Sequence, residues 1–397
     1  MIRTILLAPC LVILALPLAA QTGHATCLEA GWIDKSDAEF AADCADMAFG
    51  ESLRDRERLA WMFFARVNRL VPDPANGGMS GRGEVPVWMA WPTDPDTFDT
   101  DAEPFDFTAA PRTELEPSAE KKDLLFGQVA TADPDGANEE VNRNRISYDF
   151  LIENGLTTKT GVAAFFADND YVDMPVGSVE LKASWLQITE GSPAPEGALT
   201  FEFDSGAYWW RGLHIMVKMR SLSDPGDAFY TEDPSWFWTT FEFNDNPGAA
   251  HVRDTLITQR APLDAAEVTG ILAAGGLERF GFQAYAPNGT QIRFTVDGAG
   301  TVPVILGHTD MEDFAGSPNT AQPAYWTGFE ASCHSCHATA AYNPETEVFF
   351  PFSVPTGALD PGYNAKETHK DAEDIVQYLG QGYKPLDFMW PIAFQTK

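Results

Sequence analysis

Two stretches of this chain alternate at period two with bulky side chains on both faces, and that restricts any fold containing them. In Leu213 to Arg220, Leu213, Ile215, Val217 and Met219 fall on one face; His214, Met216, Lys218 and Arg220 fall on the other. In Trp236 to Asn244, Phe237, Thr239, Phe241 and Phe243 oppose Trp236, Trp238, Thr240, Glu242 and Asn244. A strand with one wet face alternates apolar with polar residues, and these do not. Both are therefore expected to be covered on both sides. Val85 to Trp91, Val179 to Ile188, Leu199 to Phe203 and Gln291 to Val296 are further strand-like runs between Pro, Gly and Asp turns, and Asn288-Gly289 reads as a hairpin.

Helical signals are sparser. Ser52 to Val71 starts with a Ser52/Asp55 capping pair and places Leu59, Phe63, Val67 and Leu70 at helical spacing. Asp264 to Ala274 is the one further helix expected before the C-terminal region, stopped by Gly275-Gly276. The fold class is thus α+β: a predominantly antiparallel β domain with a few helices. With 11 Trp and 27 Phe, its core is expected to be aromatic.

The strongest chemical signal is Cys333-His334-Ser335-Cys336-His337. Cys-x-x-Cys-His is the attachment site of a c-type haem. Cysteines three apart on a helical turn share a face, so both thiols can form thioethers with one porphyrin, and His337 follows as proximal iron ligand. A thioredoxin-like Cys-His-Ser-Cys pair would follow a strand in a βαβ unit, which Gly328-Phe329-Glu330-Ala331-Ser332 does not suggest. A zinc site would need two more ligands, and no second Cys-x-x-Cys or His-x3-His occurs. A Cys333–Cys336 disulfide would close a very short loop.

Haem of this type is attached outside the cytoplasm, and the N-terminus reads as an export signal. Arg3 precedes the apolar run Ile5 to Leu18, and Ala19-Ala20 supplies small residues for cleavage, giving a signal peptide over 1–20 and a periplasmic location. Leu7-Ala8-Pro9-Cys10 mimics a lipobox, but Cys10 lies inside the apolar run. Once Cys10 is removed, Cys27 and Cys44 remain beside the haem pair and are expected to form a disulfide. The net charge of −32 argues against nucleic acid and anionic lipid as partners. It suits a basic redox protein, although dispersed acidity also serves plain solvation.

The mature chain divides into a β-rich region with an N-terminal helix, 21–316, and a haem segment, 317–397. The haem segment carries a second helix capped by Thr368 with Asp371, with Ile375 and Leu379 on one face. Function turns on the sixth iron ligand, because the axial pair sets the potential and decides whether the metal is open to small molecules. Met389 is the Met candidate, although it follows that last helix instead of preceding it as in ordinary class I cytochromes c. His214 and His308 are the His candidates for a distal position, with His369 and Met311 behind them. Sequence alone does not choose among these.

The runs Ala60-Trp61-Met62-Phe63-Phe64, Val87-Trp88-Met89-Ala90-Trp91, Val179 to Trp185, Gly212-Leu213-His214-Ile215 and Trp236 to Glu242 occur in this order before Ser332 to His337. Together they resemble a family of exported proteobacterial proteins known only as c-type cytochromes. The resemblance spans most of the mature chain and implies one covalent haem c on Cys333 and Cys336 with His337 axial. It implies no established substrate. A periplasmic monohaem electron carrier is the expected function, since no dinucleotide loop, P-loop, Gly-x-Ser-x-Gly or His-Glu-x-x-His motif accompanies the haem site. The alternative is a haem enzyme or sensor, peroxidase-like or gas-binding, with the β domain forming the distal pocket. Asp168-Asn169-Asp170 with Asp173 lacks the Gly and Glu of a calcium loop and reads as a surface turn.

Overall fold

The computed structural model describes residues 25–73, 78–99, 101, 103–112, 114–115, 138–222, 234–246, 249, 260–292, 306–311, 316–318, 326–329, 337, 340–349 and 382–396. Helix α1 (Asp37–Phe49) opens on a reciprocal capping box between Ser36 and Glu39, and α2 (Leu53–Val67) opens on Ser52, whose hydroxyl accepts from the Asp55 N–H. Cys27 and Cys44 are joined as a disulfide, which ties the segment ahead of α1 to that helix.

Helix α2 ends four residues earlier than its periodicity suggested. Asn68 folds its amide back onto the Phe64 carbonyl and accepts from the buried Trp88 indole, so a tertiary contact sets the stop. Leu70–Pro72 then becomes strand β1, antiparallel to β2 (Glu84–Pro86). The expected strand Val85 to Trp91 breaks after Pro86, which has no N–H for a ladder, and Val87–Ala90 turns into a 3-10 helix that buries Trp88 and Met89.

Helices α3 (Asp94–Phe98), α4 (Arg145–Glu153) and α5 (Lys159–Asp168) flank strand β3 (Asn138–Arg143) and were not expected, nor was α1. The turns at α4 and α5 are brief and bury few residues, Ser147, Tyr148 and Leu151 in one and Val162 and Phe166 in the other, too few to mark a period. Their N-caps, Asn144 and Thr158, were the readable sign. Helix α6 (Ala265–Ala274) forms as its sequence indicates, capped by Asp264 and closed by Gly275.

Strands β3, β4 (Val179–Gln187), β5 (Thr200–Phe203), β6 (Gly206–Lys218), β7 (Trp236–Phe243) and β8 (Tyr285–Gln291) make one antiparallel sheet in the order β3-β4-β6-β7-β8, with β5 also paired to β6. Every β7 residue is buried, as is β6 from Tyr208 to Lys218, so both strands are covered on both sides as their sequences require. Helix α2 covers the first face: Phe64 stacks on Phe241 at 4.1 Å, Trp61 meets it edge-on at 5.0 Å, and Phe63 packs 5.8 Å from Phe237. Aromatic pairs in these geometries add roughly 0.5–1.5 kcal/mol each beyond area burial.

The C-terminal residues cover the second face. Besides the paired strands β9 (Gly316–Pro318) and β10 (Trp326–Phe329), a small sheet joins β11 (Ala341–Asn343) to β12 (Val348–Phe349) and β13 (Lys384–Pro385), followed by helix α7 (Trp390–Gln395). Phe388, Met389, Trp390 and Ile392 form one apolar cluster with Met216, Trp236 and Trp238 of the sheet and Leu151 and Phe166 of α4 and α5. Burial of this kind contributes roughly 25 cal/mol per Å² of apolar surface.

Asn288-Gly289 makes no hairpin. The pairing of β7 with β8 slips between Thr240 and Phe241, which leaves Asn288 as the extra residue of a bulge inside β8. The segment expected to form the last helix, from Thr368, and residues 293–296 of the strand expected from Gln291 lie outside the described residues. Among the described residues, no helix is long and apolar enough to cross a membrane.

Candidate functional site

His337 reaches the second face of the sheet, half-buried, with its ring centroid 4.9 Å from that of Trp238 on β7. Its Nδ1 lies 2.7 Å from the Phe388 carbonyl oxygen. A carbonyl can only accept, so Nδ1 is the donor, and in the neutral ring Nε2 then carries the lone pair. That is the tautomer an imidazole needs to bind a metal through Nε2, with the backbone acceptor fixing the ring and raising its basicity. Cys333 and Cys336 lie outside the described residues.

The Phe388 carbonyl is held by unusual backbone. Asp387 and Phe388 have φ of 50° and 67°, two consecutive non-glycine residues in the left-handed region. Asp387 is fully buried. Its Oδ2 accepts from Lys218 Nζ at 2.6 Å and from the Met174 N–H at 2.7 Å, and its Oδ1 accepts from Trp236 Nε1 at 2.8 Å. Lys218, equally buried, also pairs with Asp173 at 2.9 Å. Burial pushes the Asp387 carboxyl above the usual range, against the opposing pull of Lys218. Lys218 was placed by the sequence on a strand face with His214, Met216 and Arg220, and nothing in the aromatic tail marked Asp387 as its partner.

His214 sits on the same sheet face, opposite Thr240, with Nδ1 2.6 Å from the threonine hydroxyl. His308 is fully buried, its ring 6.1 Å from that of His214. Around His308 lies a polar network built by two bulges. The β4–β6 pairing slips so that Arg211 is the extra residue, and its guanidinium turns to Asp310 and to Asn246 Oδ1. Asn288, the extra residue of β8, donates to Glu242 Oε2 at 2.8 Å and to the Gly307 carbonyl at 3.0 Å. The Asn246 amide bridges Glu242 Oε1 and Asp310 Oδ2. Burial resists ionisation of Glu242, yet His308 and the donors Thr309, Asn288 and Asn246 together hold its carboxyl below the ordinary range.

Glu242, His308 and Asp310 bring possible ligand atoms within 4.8 Å of one another. Glu242 Oε1 and Asp310 Oδ2 already accept from Asn246, and Asp310 Oδ1 pairs with Arg211, so the protein itself supplies donors to these carboxylates. Gly212, at φ +152°, is required beside it: a Cβ there would lie 2.1 Å from the Phe241 carbonyl oxygen and 2.7 Å from His308 Nε2. Met389 is buried within the apolar cluster and caps α7, and Met311 is buried near His308 in sequence. His369 lies outside the described residues. The acidic turn after α5 engages Lys384, whose ammonium meets the Asn169 carbonyl at 2.7 Å and Asp170 at 3.1 Å.

No protein-family model, curated protein or solved structure matches the chain.

Proposed function

We propose that this chain is an exported, periplasmic c-type cytochrome that carries one haem on Cys333 and Cys336, takes His337 as its proximal ligand, and works in electron transfer. The observation that carries the reading is the hydrogen bond from His337 Nδ1 to the Phe388 carbonyl, because it readies Nε2 of the motif histidine for a metal. A bound haem c supplies a one-electron iron couple whose potential follows its axial ligands. The chain's own residues orient the imidazole, and Trp238 packs against both the His337 ring and Phe388. The chain's charge of −32 suits a basic redox partner.

The same hydrogen bond bears on the sixth ligand. Met389 follows directly on the residue whose carbonyl faces Nδ1, so its backbone lies on the side of the imidazole away from Nε2. That favours packing as the role of Met389, while His214 and His308 stay distal candidates on sequence grounds alone. The second reading, a haem enzyme or sensor, would draw on these two buried histidines, whose rings lie 6.1 Å apart.

The test is mass spectrometry and absorption spectroscopy of the full chain exported with a working cytochrome-maturation system. The expected result is one haem's mass on the peptide holding Cys333 and Cys336, lost when His337 and both cysteines are substituted. A low-spin reduced spectrum unmoved by carbon monoxide would support electron transfer; rapid carbon monoxide binding would support the second reading. A colourless product without the mass increment would overturn both.

A further inference from the structure

We infer that Asp387 is a positioning residue for the proximal histidine, acting through a clamp that Lys218, Trp236 and the Met174 N–H close around its carboxylate. The inference rests on the haem reading above and names what tunes that site. Phe388 can aim its carbonyl at His337 Nδ1 only while residues 387 and 388 keep two successive left-handed conformations. Each such non-glycine residue is disfavoured and persists only when its surroundings over-determine it. Here they do. Two strands supply the restraint, Lys218 at the end of β6 and Trp236 at the start of β7, neighbours in register, and both reach the same carboxylate at 2.6 and 2.8 Å. Met174 adds a backbone donor at 2.7 Å, from a segment bound to β13 through the Val172 N–H and the Pro385 carbonyl. The clamp thus transmits the rigid sheet to the one atom that fixes the histidine's tautomer.

A firmly held acceptor draws the Nδ1 proton toward itself and makes the imidazole a stronger donor through Nε2, which favours the ferric state. Loosening the clamp weakens that bond and favours the ferrous state. Asp387→Asn places an amide NH2 among three donors, so at least one contact is lost. Mutating direct outer partners of metal-bound histidines typically costs 10–100-fold in metal affinity or activity, and Asp387 acts one carbonyl further out, so the low end is taken. The expected effect in the haem-loaded full chain is about a tenfold shift of the ferric–ferrous equilibrium toward ferrous, an increase of about 59 mV in midpoint potential. Trp236→Phe removes a single donor and keeps the packing, so it should shift the equilibrium the same way by less.

Potentiometric titration reads the equilibrium, and nitrogen NMR of His337 in the same full chain reads the Nδ1–H bond directly. Both variants moving in the order stated, with a weakened Nδ1–H signature, would support the clamp. Potentials within twofold of the parent in equilibrium constant together with an unchanged Nδ1 signal would overturn it. If no haem is attached, the proposed function fails, and the Nδ1 signal alone then decides the clamp.

Discussion

Replacing Lys218 with methionine leaves the Asp387 carboxylate in the core without its cation. At an N–O distance of 2.6 Å and an effective dielectric constant near 20, the attraction removed is about 6 kcal/mol. Measured losses on removing one partner of a buried pair run at about 3–5 kcal/mol, lower because the surroundings relax. Two neutral donors, Trp236 Nε1 and the Met174 N–H, stay in place, so a loss of about 3–4 kcal/mol is expected for Lys218→Met. The assay is urea denaturation of the full chain followed by tryptophan fluorescence, in a cycle with Asp387→Asn and the double variant. Adding Asp387→Asn to Lys218→Met removes the orphaned charge, so the double variant should be more stable than Lys218→Met alone, with a coupling of about 2 kcal/mol. A Lys218→Met loss under about 1 kcal/mol, or strictly additive variants, would refute the view that this pair fixes the C-terminal segment to the sheet.

Three further outcomes follow from other parts of the fold. Substituting Cys27 and Cys44 by serine opens a cross-link of sequence separation 17, and the loop-entropy relation gives a loss of about 3 kcal/mol, readable as a lower denaturation midpoint under oxidising conditions but not under reducing ones. Gly212→Ala would drive a methyl into the Phe241 carbonyl, so a loss of about 1–3 kcal/mol is expected in the same urea assay, and a neutral result would mean that the β6 bulge is not needed to seat His308. Burial holds the Glu57 carboxyl above its usual range despite the opposing charge of Arg260. The carboxyl is neutral in both states below about pH 4, and its ionised form weighs against folding as pH rises through the raised native value. Glu57→Gln should therefore leave stability near pH 4 unchanged and raise it at pH 8; lower stability at pH 8 would show that the Arg260 pair outweighs burial.

The two-faced strands announced a central sheet covered on both sides, because period-two side chains leave no other place for Phe241 and Trp238 at once. The Cys27–Cys44 bond was legible by elimination among the cysteines, and α6 was legible from Asp264 and Gly275, since caps are local chemistry. His337 was singled out by its motif, and the structure adds its contact with the Phe388 carbonyl. Tertiary structure decided the rest. Asp387 and Lys218 meet across 169 residues, and Phe388 and His337 across 51, distances at which spacing carries no signal. Asn288-Gly289 has the composition of a turn, yet pairing with β7 and the demand of Glu242 for donors make it a bulge. Local propensity is worth about a kilocalorie per residue, whereas satisfying a buried charge is worth several, so where the two compete the long-range partner sets the conformation.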